Sequence, residues 1–291
     1  MTHQNYNNVV KILLVLLSLI VWSTETPDAV PALAVKRLHR GLEADTRRYN
    51  FVAAILLYLQ KGWAFHCGAS IVGPRKVVTA AHCVFDSEMV LPPPKMVAVV
   101  AGDKSWTGAG AKAVIGRVAA IYSHENYRSP HSEPDLALLI LKEDLPIDNE
   151  TIGIVELALD IPKDGEQCVA LGWGLNEKFH ISSTLMAAVF EIQPIEACIL
   201  FYGVPSPNFV CGMSTGKSSV CTGDSGGPLI CNNQLAGIID SSAINCSASK
   251  PSLFTGLKDY VPWIKRERTS SANKEKYYFH QVCLCLITIM I

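Results

Sequence analysis

Between Leu38 and Lys265 the apolar residues fall into short runs divided by Gly, Pro and Asn. FVAAILLYL, ASIVG, KVVTAA, KMVAVVAG, AVIGRVAAIY, LALLIL, QCVALGWG, MAAVFEIQPI, GPLIC, QLAGIID and SLFTGL follow one another in this way. Runs of this length, rich in Val, Ile and Ala and bounded by turn signals, are strands. Many in succession predict an all-β sandwich or barrel rather than a doubly wound α/β sheet. Only Lys258 to Arg268 (KDYVPWIKRER) reads as a helix, one that closes the fold. The chain has 291 residues, 49% of them hydrophobic, which suits one large domain or two small ones. Propensity leaves the number of barrels open.

Ten cysteines fit an oxidising compartment better than the cytosol. The first residues agree. Lys11 precedes an apolar run from Ile12 to Trp22, too short to span a bilayer but suited to the core of a secretory signal, with cleavage between Ser23 and Ala29. A second apolar stretch, Val282 to Ile291, is also shorter than the roughly 20 residues of a spanning helix. Ser270 to Ala272, a short polar spacer and this tail only loosely imitate a lipid-anchor signal, so membrane anchoring is disfavoured. Twenty-five basic residues against 26 acidic ones provide no positive field for nucleic acid.

Three strings carry chemistry. Cys221-Thr-Gly-Asp-Ser-Gly-Gly-Pro228 flanks a serine with glycines, which permit a tight turn that presents the hydroxyl. The same turn lets the amides of Gly223 and Ser225 face a developing negative charge. Val77-Val-Thr-Ala-Ala-His-Cys83 puts His82 at a strand end, and Asp135-Leu-Ala-Leu-Leu139 puts a carboxylate just before an apolar strand. Alone, His82 reads as an ordinary polar side chain and Asp135 as a turn or cap residue. Together they are the hydroxyl, base and orienting acid that nucleophilic acyl transfer needs.

TAAHC, DLALL and GDSGGP, in that order, resemble the His, Asp and Ser blocks of the trypsin/chymotrypsin family, and CVALGWG resembles another of its strands. The resemblance runs from about Leu38 to Lys265. It implies two six-stranded antiparallel β-barrels with a C-terminal helix, and a secreted serine endopeptidase working through an acyl-enzyme. Ser225 is then the nucleophile, His82 its general base and Asp135 the residue that orients the base. Gly223 and Ser225 supply the oxyanion hole. No cofactor and no metal is implied. Partners are protein or peptide substrates, with an activating protease and extracellular inhibitors as further candidates. The eight cysteines inside the matched region allow roughly a hundred pairings. The resemblance selects Cys67–Cys83, Cys168–Cys231, Cys198–Cys211 and Cys221–Cys246, and leaves Cys283 and Cys285 over. The organisation that follows is a signal at 1–28, a short propeptide at 29–37, the protease domain at 38–268 and a tail at 269–291.

Members of the family are usually activated by a cut before an Ile-Val-Gly-Gly-like terminus. Here Lys36-Arg37 precedes Leu38-His39-Arg40-Gly41. Cleavage after Arg37 would free the Leu38 ammonium to pair with Asp224. His39 and Arg40 depart from the family's small residues, and plain dibasic processing is the alternative. Ser219 stands where the family places the base of the primary specificity pocket, with Ser242 and Ser252 on its walls. A hydroxyl base lacks the carboxylate needed to desolvate Lys or Arg, so small or medium neutral residues are expected, with larger apolar residues as the alternative. Asp240-Ser241 replaces a serine and an aromatic of the family pattern. A second carboxylate near Asp135 is expected to raise the pKa of one of them and to weaken activity or move its pH dependence. This feature and the LHRG terminus motivate a second reading, a catalytically weak homologue serving as an extracellular binding or regulatory module. Asn149-Glu150-Thr151 is a sequon in a polar connection. Asn245-Cys246-Ser247 is a less usable one, because its cysteine is expected to be bridged.

Overall fold

The structure is a computed structural model that describes residues 41–129, 133–203, 206, 208–242 and 244–268. The proposed signal, the Arg37–Leu38 bond and the apolar tail with Cys283 and Cys285 lie outside the described residues. Thirteen strands are present in the described chain. β2 (Val52–Leu59), β3 (Gly62–Gly73), β4 (Lys76–Thr79), β5 (Val97–Ala101), β6 (Val114–Ser123) and β7 (Ala137–Leu141) close one antiparallel barrel in the order β2-β3-β4-β7-β6-β5. The second barrel is built from β8 (Gln167–Gly172), β9 (Met186–Gln193), β10 (Phe209–Ser214), β11 (Pro228–Cys231), β12 (Gln234–Ser241) and β13 (Ser252–Gly256). Its order is β9-β10-β13-β12-β11-β8, and pairing of β8 with β9 closes it. A two-residue strand, β1 (Leu42–Glu43), adds to the outside of β9. Two six-stranded antiparallel barrels are therefore the architecture that the family resemblance implied, and they settle the number of barrels that the strand runs left open.

Physical causes for these strands are local. β5 (VAVVA) and β7 (ALLIL) are buried at every position, because the barrel interior takes one face and flanking chain covers the other. Their β-branched and Leu side chains pack well on a pleated surface. One core cluster takes residues from both barrels, joining Ile55, Ile71, Val99 and Leu139 of the first to Leu171, Ile230 and Ile238 of the second. β2 and β3 pair with a register shift: Ile55 faces Cys67 and Leu56 faces Phe65, so His66 is the extra residue of a bulge.

Two helices complete the described fold. α1 (Ile195–Tyr202) precedes β10 and is pinned by Cys198, which bridges to Cys211. α2 (Val261–Lys265) follows a 3-10 turn at Lys258–Tyr260 and begins with Pro262 in its first turn, where the missing N–H costs nothing. It buries Val261, Trp263 and Ile264. Trp263 Nε1 donates to Glu125 Oε2 at 2.7 Å, which fastens the helix to the first barrel. The closing helix read from KDYVPWIKRER is thus shorter than its segment. No helix among the described residues is long and apolar enough to cross a membrane.

Candidate active site

His82 stands in a 3-10 turn, Ala81–Cys83, directly after β4. The turn is held to β3 by the Cys67–Cys83 bridge. Asp135, immediately before β7, is fully buried and spends both oxygens on the same residue. The His82 backbone N–H donates to Oδ1 at 2.9 Å, and ring atom Nδ1 lies 2.5 Å from Oδ2. An ionised carboxylate only accepts, so Nδ1 carries the proton and Nε2 is the atom left for chemistry. Burial pulls the His82 imidazole downward, but the bond to Asp135 and the charges of Asp135 and Asp240 outweigh it and hold the ring above its ordinary value. Burial is also the main influence on Asp135 and pushes its carboxyl up; His82 pulls it back and Asp240 pushes it further up.

Ser225 is presented by two consecutive tight turns, with Asp224 N–H donating to Cys221 O at 2.9 Å and Gly227 N–H to Asp224 O at 3.0 Å. The next residue, Gly226, has φ +77°, and a Cβ there would lie 3.1 Å from Cys83 Sγ and closer still to Thr79 Oγ1. Only glycine allows this approach. Because Gly226 adjoins Ser225 and Cys83 adjoins His82, the contact brings the serine turn against the histidine turn. Gly68 N–H on β3 donates to Ser225 O at 2.8 Å, and Thr79 Oγ1 donates to Gly68 O at 2.9 Å. Gly226 N–H donates to Ile239 O at 2.8 Å, while Ile239 N–H donates to Gly227 O at 2.9 Å. The serine is thus fixed by both barrels.

Thr222 O accepts from Leu175 N–H at 2.9 Å. A trans peptide points its N–H opposite to its carbonyl, so the Gly223 N–H faces away from Leu175. Gly223 adopts φ +95°. Among the described residues no protein acceptor takes the N–H of Gly223 or of Ser225. Two free amides on one turn are suited to an anionic oxygen.

Asp224 is buried beneath this turn and accepts from Gly174 N–H at 2.7 Å and from Cys221 N–H at 2.8 Å. Burial pushes its carboxyl up to about 7 against the pull of those two amides. Ser219 is buried with its hydroxyl on Val220 O at 3.1 Å. Ser252, opposite Gly212 across β10 and β13, is also buried, and among the described residues its Oγ has no partner. Ser242 is half-buried at the end of β12, and the Cys221–Cys246 bridge joins the segment after it to the serine turn. Cys168 and Cys231 join β8 to β11. All four pairings taken from the resemblance are the ones present. Among the described residues two places gather metal-ligand types, Cys67 with His82 and Cys83, and Glu166 with Cys168 and Cys231, but their sulfurs are committed to disulfides.

Asp240 is buried near the end of β12. Ser241 Oγ donates to its Oδ1, and Thr255 Oγ1 donates to Oδ2 at 3.4 Å. Asn149 is exposed, and so is Asn245 beside its bridged cysteine. Several supporting residues carry no sequence signal that would single them out. Gly68, Thr79 and the Thr222–Leu175 contact are ordinary residue types whose role arises only when distant strands meet. Tyr127, whose buried hydroxyl has no partner among the described residues, stacks on Phe85.

The Trypsin family model matches residues 41–264. Trypsin eta of Drosophila melanogaster is 33% identical over 251 residues, covering 83% of this chain and 92% of that protein. Serine protease SP24D of Anopheles gambiae is 33% identical over 230 residues, 79% of this chain and 80% of that protein. Among solved structures, that of neuropsin, a serine protease expressed in the limbic system of mouse brain, matches with TM-score 0.66 and 29% identity, over 77% of this chain and 97% of that one. On the strength of the two barrels, the matched family model and these relatives, the chain belongs to the trypsin family and is a serine-type endopeptidase.

Proposed function

We propose that Ser225, His82 and Asp135 are the catalytic residues, and that the enzyme is secreted and is activated by cleavage after Arg37. Nε2 of His82 takes the Ser225 proton as Oγ attacks the scissile carbonyl. The negative oxygen that forms rests on the N–H groups of Gly223 and Ser225. His82 returns the proton to the leaving amine, and water then releases the acyl group by the same route. The observation that carries this reading is the double grip of Asp135 on His82, at 2.9 and 2.5 Å, which fixes the ring with Nε2 free. Asp224 is the expected partner of the Leu38 ammonium after cleavage, since a buried carboxylate held only by two amides has a charge left to match. The N-terminal apolar run behind Lys11 and the four disulfides support export through an oxidising compartment.

The preferred residue before the scissile bond is small or medium and neutral. Ser219, Ser242 and Ser252 add side chains around the pocket and no charge, which disfavours Lys and Arg. Profiling the Arg37-cleaved protein on a mixed peptide library tests this reading. Cleavage after Ala, Val, Ser or Thr supports it; cleavage confined to sites after Lys or Arg contradicts the pocket assignment. Absence of any cleavage by correctly bridged protein would favour the binding-module reading instead.

A further inference from the structure

We propose that Asn149 carries an N-linked oligosaccharide whose first sugars cover the groove beside it. The inference rests on the secretory reading given above, because the sugar is added to exported chains. Asn149-Glu150-Thr151 has the acceptor pattern: an asparagine, a middle residue other than proline, and a hydroxyl residue third. The co-reactant is a lipid-linked oligosaccharide diphosphate of the secretory compartment. The side-chain amide nitrogen of Asn149 bonds to the anomeric carbon of the first sugar and gives up one proton. The bond from that carbon to the diphosphate oxygen breaks, and the lipid diphosphate leaves with the electron pair. Nothing is oxidised or reduced.

A sugar added to an extending chain survives folding only where the native state leaves it in water, since burying its hydroxyls without partners is costly. Asn149 meets that condition. It is exposed in the connection between β7 and β8, and among the described residues no hydrogen bond engages its side-chain amide. The turn is closed by other groups. Asn149 N–H donates to Ile152 O at 3.0 Å, and its carbonyl accepts from Asn50 Nδ2 at 2.8 Å. Asp148 Oδ1 accepts from the N–H groups of Glu150, Thr151 and Ile152 at 2.9, 2.7 and 3.0 Å. Asn149 sits at φ +60°, a conformation asparagine adopts more readily than most residues. The other sequon differs: its middle residue, Cys246, is buried and bridged to Cys221, and a sugar on Asn245 would crowd the closing of that bridge. Asn149, Glu150 and Thr151 border a groove of about 800 Å³ that also takes Arg47, Lys104 and Lys112, all three exposed. Lys112 Nζ donates to Thr151 Oγ1 at 3.4 Å. A polar groove at the attachment point offers donors and acceptors to sugar hydroxyls. His82, Asp135 and Ser225 are not among its lining residues, so the sugars cover cationic surface outside the catalytic set.

The test is expression of the full chain in a eukaryotic secretory host, followed by peptide N-glycosidase treatment and peptide mass spectrometry. Exported wild-type protein is expected to lose mass on treatment, with Asn149 converted to aspartate. Asn149→Gln and Thr151→Ala should each abolish that loss; Thr151→Ser should keep it, and Asn245→Gln should leave it unchanged. Acetylation of the folded protein reads the groove. Lys104 and Lys112 should react several-fold faster in Asn149→Gln than in glycosylated wild type, while Lys61, exposed between β2 and β3, should react at one rate in both. Exported protein with a bare Asn149 overturns the proposal, as does a mass loss that survives Asn149→Gln and maps to Asn245. Equal acetylation of Lys104 and Lys112 with and without the sugar overturns its placement in the groove. Protein retained in the cytosol with the apolar run after Lys11 still attached would defeat the secretory reading and this site together, whereas a bare Asn149 on exported protein defeats the site alone.

Discussion

Nδ1 of His82 is engaged by Asp135, and in the proposed mechanism this contact determines which ring atom serves as base. Asp135→Asn can keep the geometry but offers an amide donor to Nδ1, which favours the wrong tautomer; kcat should fall about 10³- to 10⁴-fold with little change in Tm. The pH–rate profile follows from the raised His82 value. Activity should climb as pH rises through it, with a midpoint above about 6.5, because only the neutral ring accepts a proton. Stability runs the other way. A basic group whose folded pKa is raised stabilises fully below its unfolded value, and that contribution is lost as pH rises through the folded one. Ser252, which the proposal places on the pocket wall, is buried, and among the described residues its hydroxyl has no partner. Ser252→Gly should open space and raise kcat/KM for larger apolar residues about ten-fold relative to Ala, read from competing peptides.

At the scale of elements, the serine turn depends on the close approach of Gly226 to β3 and the histidine turn. Gly226→Ala would combine a strained φ with collision against Thr79 and Gly68. Destabilisation on the order of 3 kcal/mol or more is expected, seen as a lower Tm together with loss of reactivity at Ser225. Most strands were legible because their apolar runs are bounded by turn residues. β10 (Phe209–Ser214) was not, since NFVCGMS mixes polar residues and a glycine into the run. That glycine, Gly212, exists for a tertiary reason: a Cβ there would lie 3.0 Å from Phe254 and 3.2 Å from Phe190. α1 was also missed. Its sequence, IEACILFY, is apolar nearly all round, leaving Leu200 exposed, so it carries no helical stripe. The residues proposed for catalysis were legible only as motifs, because their meeting depends on strand pairings that no local string encodes.

For the whole molecule, the two barrels come together through one shared core, and among the described residues no cation pairs with the buried Asp224 carboxyl. Its carboxyl, pushed to about 7, binds a proton in the folded state where the unfolded chain has already released it. By linkage, uncleaved protein should lose stability as pH rises from about 4 to about 7, by an amount on the order of 4 kcal/mol. Cleavage after Arg37 should abolish that loss by supplying an ammonium, and melting curves of the two forms across that range would show it. The most direct test of the whole account is reaction of the Arg37-cleaved, fully bridged protein with a fluorophosphonate probe, with the site of attachment read by mass spectrometry. The account predicts a single adduct on Ser225 that disappears in His82→Ala. Folded, cleaved protein that stays unlabelled, or that is labelled equally well without His82, would contradict it.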